Sequence, residues 1–167
     1  ICPQGSDPSR TSVNLNGDVA ITNRDGSITK IGAVEEHCKD MNGQPGIQTS
    51  KGPNDVLAWG MDDCVLWNTK LNPASRPAAW TSGEKVDPQN PCSPSIGEKV
   101  WTSGPQGGDA WVYLLDGETG QILDQVLVPG ANGGLGIYGG AVDQNNDFWG
   151  VTYSQGPLVH VRYDNMT

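Results

Sequence analysis

Short apolar runs alternate with turn residues along most of the chain, and long apolar stretches are absent. Val19-Ala20-Ile21-Thr22 and Ser27-Ile28-Thr29-Lys30-Ile31 flank Asn23-Arg24-Asp25-Gly26. An Asp-Gly step between two such runs is a strong hairpin signal. Ala110-Trp111-Val112-Tyr113-Leu114-Leu115 enters the turn Asp116-Gly117-Glu118-Thr119-Gly120 and leaves along residues 121–128. A third hairpin joins residues 148–153 to 158–163 around Ser154-Gln155-Gly156-Pro157. One short helix is expected near residues 33–39, where no apolar stripe accompanies Glu35 and Glu36. The pattern predicts an all-β chain.

Two of these hairpins repeat one another. Ser12-Val13-Asn14-Leu15-Asn16-Gly17-Asp18-Val19-Ala20-Ile21 aligns with residues 141–150, and Ile28–Ile31 aligns with Leu158–Val161 after one residue of slack. The offset from Asp18 to Asp147 is 129, or three steps of 43. A period near 40–45 suggests the blades of a β-propeller. A partial middle copy spans residues 97–130.

The segment Tyr138-Gly139-Gly140-Ala141-Val142-Asp143, with Asp147-Phe148-Trp149-Gly150-Val151 after it, resembles the repeat of streptogramin-lyase-like and NHL-like β-propellers. The turn Asp116–Gly120, placed before Pro129-Gly130, resembles it too. The resemblance covers residues 10–32 and 97–163. It implies that the glycines allow close strand approach near a central channel, and that the Asp-x-x-x-Gly turn joins outer strands. The lyases of this family use a His base with a magnesium ion held by Glu. Neither His37 nor His160 sits in a matching motif, so no catalytic residue is carried over. If the chain were such a lyase with a channel cation, His160 would be its His. Fold alone does not decide function.

The fold expected is therefore a partial propeller of about three blades with a disulfide-pinned loop insertion, where closed propellers have about four to eight. Its parts are residues 1–32 (first blade and N-terminal segment), 33–96 (loop-rich insertion) and 97–167 (two further blades), all one structural unit. Open blades leave unpaired faces. Another protein chain, or another copy, is expected to complete the ring. The chain begins with Ile1 and shows no leader, which suits a processed secreted protein or a piece of a longer one.

Composition narrows the function. Asp and Glu number 19 against 10 Lys and Arg, giving a net charge of -9. Such a surface repels phosphate backbones, so nucleic acid is not an expected partner. No run reaches the length of a membrane span. The four cysteines show no Cys-x-x-Cys pair, which argues against zinc and for disulfides in an extracellular, cell-surface or periplasmic setting. Three pairings are open. Cys38–Cys64 with Cys2–Cys92 is favoured because the first pair brackets an acidic loop.

That loop carries the candidate chemistry. Asp40, Asn42 and Gln44 are spaced two apart, as in a calcium loop, with Gly46 following Pro45. Lys51 stands where an EF-hand wants Glu, so Asp55, Asp62 and Asp63 would supply the remaining oxygens for calcium. Six tryptophans raise a second prospect, a calcium-dependent carbohydrate binder. Trp59 and Trp80 are the expected exposed platforms. Thr-Ser-Gly follows Trp80 and Trp101 alike. Most Trp residues in all-β proteins are buried. Serine hydrolysis and a phosphate loop lack their motifs. The leading expectation is a secreted or cell-surface propeller segment that acts as a binding or structural module, stabilised by disulfides and calcium; the propeller lyase and the carbohydrate binder are the alternatives.

Overall fold

The computed structural model describes residues 7–72 and 74–167. Its strands form three antiparallel sheets and one small hairpin. In the first sheet, β1 (Pro8–Val13), β2 (Val19–Asn23), β3 (Ser27–Ile31) and β4 (Val65–Lys70) lie in chain order. The second contains β5 (Ala78–Trp80), β8 (Lys99–Gln106), β9 (Asp109–Asp116) and β10 (Ile122–Val128). Between β5 and β8 the chain makes the β6–β7 hairpin (Glu84–Lys85 and Ser95–Ile96). The third sheet holds β11 (Ile137–Val142), β12 (Phe148–Thr152) and β13 (Leu158–Val161). Among the described residues no sheet closes on itself.

All three expected hairpins form, with the turns where the sequence placed them. The stretch 33–96 is less loop-like than expected, because β4 to β7 all fall within it. The chain leaves the first sheet after β3, makes an excursion over residues 32–64, and returns as β4 beside β3. The expected helix shrinks to a 3-10 turn, Glu35–His37. Cys38 and Cys64 close the excursion with a disulfide. A loop of this size stabilises the fold by about 3–4 kcal/mol on the chain-entropy account. Cys2 lies outside the described residues, and Cys92 is an exposed free thiol among them.

The sheets stack face to face, with the second in the middle. Val100, Tyr113 and Leu115 pack on Ala20, Ile28 and Trp67 of the first sheet. The opposite face of the same strands, Trp101, Val112 and Leu114, packs on Phe148, Val159 and Val161 of the third. Burial on both faces explains why residues 110–115 run apolar without alternation. The first strands of the sheets also meet, since β5 lies against both β1 and β11. Trp101 is fully buried and stacks on Phe148 at 5.8 Å. Replacing it, Trp101→Ala, should destabilise the fold by about 3–5 kcal/mol, seen as a lower urea midpoint at unchanged slope.

Candidate functional site

The two copies of the repeat build the same loop. Between β1 and β2 the Asn14 side chain accepts from the amides of Asn16 and Asp18, at 3.1 and 2.8 Å. Between β11 and β12 the Asp143 side chain accepts from those of Asn145 and Asp147, at 2.8 and 3.1 Å. The fourth loop residue has positive φ in both, +93° at Gly17 and +65° at Asn146. Asn tolerates this region better than most side chains. The acid that ends each loop then accepts an amide just past the third strand of its repeat, Ala33 to Asp18 and Tyr163 to Asp147.

The surroundings of these acids differ. Ala20 pairs with Lys30 in the first sheet, and Trp149 with His160 in the third. Lys30 is 2% exposed. Its Nζ lies 3.2 Å from Asp18 Oδ2 and donates to the Gly117 carbonyl at 3.0 Å. Trp67 Nε1 donates to that same carbonyl. Gly117 can come so close only because it has no side chain; a Cβ there would lie 2.2 Å from the Glu98 carbonyl oxygen. His37 Nδ1 donates to Asp18 Oδ1 at 2.6 Å, tying the disulfide-pinned excursion to the sheet. Asp18, Lys30, His37, Lys39, Glu118 and Cys92 are among the residues lining a cleft of about 470 Å³. Burial alone would push the Asp18 carboxyl up. His37, the Ala33 amide and Lys30 outweigh it and hold the carboxyl below its ordinary value.

In the third sheet the acids form a cluster. One ligand atom each of Asp143, Asp147 and His160 lies within 4.8 Å of the others, so the group could hold a metal ion. Asp147 Oδ2 is 2.9 Å from His160 Nε2, and Asp143 Oδ2 accepts from Trp149 Nε1 at 2.9 Å. That indole bond, with the loop amides, keeps the Asp143 carboxyl below its ordinary value. The His160 ring stacks on Trp149 at 4.0 Å. Sequence reasoning placed His160 in a strand but did not join it to the acids, although the repeat already aligned Asp143 and Asp147 with Asn14 and Asp18.

The loop expected to bind calcium is arranged differently. Asp63 is buried; its Oδ1 accepts from the Met41 amide, and its Oδ2 from the Gln48 amide and the Asn42 side chain. These bonds, the Met41 amide first, lower its pKa. Asp62 accepts from the amides of Ser50 and Cys64. Asn42 Oδ1 accepts from the Gln44 amide in an Asx-turn. Asp40, Gln44 and Asp55 are exposed. Among the described residues the acids of this loop bring no three ligand atoms within 4.8 Å. They hold the excursion's backbone instead. Trp59 is 39% exposed. Trp80 is not free: its indole donates to the Ser12 carbonyl, and Lys30 lies over its ring.

No family model matches the chain, and neither a curated protein nor a solved structure does. Among the described residues no helix is long and apolar enough to cross a membrane.

The Asp18–Lys30 pair gives a pH test. A carboxyl lowered in the fold contributes stability that is complete above its ordinary value of 3.8 and is lost as pH falls through the lowered one. Asp18→Asn leaves buried Lys30 with only the longer, solvent-exposed pairing to Glu118 at 3.7 Å and should cost about 3 kcal/mol near neutrality. Urea unfolding as a function of pH should show that the gap between wild type and variant closes in acid.

Proposed function

We propose that this chain is a segment of an extracellular or cell-surface β-propeller that serves as a binding or structural module. Further sheets, from another chain or another copy, complete the ring. One observation carries the reading. In the first sheet Thr22 and Ile28 form a cross-strand pair that is wholly buried against the second sheet. Their counterparts in the repeat, Val151 and Leu158, are also paired, yet stand 51% and 65% exposed. The third sheet thus keeps a face of the kind that another sheet covers elsewhere in the same molecule. Exposed apolar faces of this kind mark interaction surfaces. Neighbouring strands that follow chain order in the first and third sheets, a second sheet interrupted only by the β6–β7 hairpin between β5 and β8, and first strands that adjoin suit blades set around an axis. The disulfide suits an oxidising compartment.

Native mass spectrometry tests this directly. The expected result is an assembly heavier than the 17.7 kDa chain, or a monomer that binds hydrophobic dye on the open face. Leu158→Lys should abolish either property while leaving the fold intact. A wild-type monomer that binds no dye would overturn the proposal.

A divalent cation belongs to the same reading as a stabiliser of the module. Two carboxylates and an imidazole suit a transition ion better than calcium, which prefers oxygen alone. Calcium, expected from the excursion loop, would have to compete there with the amides already held by Asp62 and Asp63. Calorimetric titration with zinc and with calcium should give heat for zinc that disappears in Asp143→Asn. Heat for calcium that survives this substitution would return the site to the loop, and heat for neither ion would remove the cation from the proposal.

A further inference from the structure

The chain has four arginines, and acids outnumber bases by 19 to 10. Arg24 pairs with Asp7 and Arg162 with Asp164. Arg10 and Arg76 have no carboxylate partner among the described residues. Residues 1–6 and 73 include no Asp or Glu that could provide one. Both guanidinium groups lie against one ring: Arg10 is 4.5 Å and Arg76 5.2 Å from the centre of Tyr138. Arg76 is 6% exposed, and its Nε has no hydrogen-bond partner among the described residues. The hydrogen bonds made by these two side chains are Arg76 Nη1 to Ser9 Oγ at 3.3 Å and Arg10 Nη1 to the Ser9 carbonyl at 3.1 Å.

A buried cation without a counterion is costly, and a cation–π contact compensates only part of that cost. A guanidinium also has several N–H donors beyond the one used here. Arg10 belongs to β1, Arg76 lies two residues before the start of β5, and Tyr138 belongs to β11. The pair therefore sits where the first strands of all three sheets meet. Arg10 is half-buried and Tyr153, 5.0 Å from Tyr138, is exposed, so solvent reaches the edge of this cluster.

We propose that Arg10 and Arg76, held on Tyr138, form a binding site for the oxyanion of a small ligand, a carboxylate or a phosphate. The fork of a guanidinium matches either group, and two adjacent forks supply the missing counter-charge. This site requires neither ring closure nor a metal ion, so it stands or falls apart from the module described above.

The test is a titration of the folded, isotope-labelled chain with sodium phosphate and, separately, sodium succinate, at constant ionic strength. Sodium chloride is the control. Arginine Nε–H and backbone signals are followed by NMR. Expected are saturating shifts of the Arg10 and Arg76 signals with phosphate, succinate or both, and none with chloride. Saturation by one anion alone identifies its chemistry as the one recognised. Arg10→Gln should weaken binding by about tenfold or more, whereas Arg24→Gln should not change it. If Arg10→Gln fails to fold, Arg10→Lys, which keeps the charge and loses the fork, should also bind more weakly. Shifts that never saturate, or that chloride reproduces, would overturn the proposal.

Discussion

The structure depends on the second sheet being covered on both faces. Neither outer sheet has an apolar face wide enough to stand alone, and an isolated hairpin is marginal in water. The middle sheet supplies both with a partner, since adjacent residues of β8 and β9 point to opposite sides. Val100 serves one neighbour and Trp101 the other. A charged group that enters this sandwich is stabilised by partners of its own. Lys30 has them in Asp18 and the Gly117 carbonyl, which ties the turn after β9 to the first sheet.

Lys30 and His160 show how one repeat acquires two characters. Both stand in the third strand of the repeat, opposite the same strand position and near the same loop acid. Where a neighbouring sheet excludes water, the position holds a buried ammonium in a closed set of contacts. Where no sheet covers it, the position holds an imidazole stacked on an indole, with its carboxylate partner alongside. The backbone device is common to both. The difference in chemistry follows from what lies above it.

Much of the secondary structure was legible in the sequence because hairpin turns are local. Asp25-Gly26 and Asp116–Gly120 declare themselves within a few residues. The Cys38–Cys64 bridge was legible from its bracketing of the acidic loop. β4 was not, because its partner β3 lies beyond an excursion of more than thirty residues. Lys30 was obscured because it follows Ile28 on the same face, and an isolated Lys in a strand reads as solvent-facing. The acids of the excursion show the same limit from the other side. The spacing of Asp40, Asn42 and Gln44 suggests ligation, but Asp62 and Asp63 are occupied by amides that only the folded loop brings to them.

This distinction bears on how the acids of the molecule should be read. A chain with a net charge of -9 invites an explanation in terms of cations. Yet several of its least exposed carboxylates are spent on backbone amides: Asp63 on the excursion, Asp18 and Asp147 on the strands beyond their loops. Such bonds fix loop geometry without any metal. The surplus of negative charge is thus largely structural at these positions. The unusual electrostatic feature is the opposite one, two guanidinium groups with no acid paired to them among the described residues. In a molecule so rich in carboxylates, that exclusion sets Arg10 and Arg76 apart from Arg24 and Arg162, and it places an uncompensated positive charge where the three sheets converge.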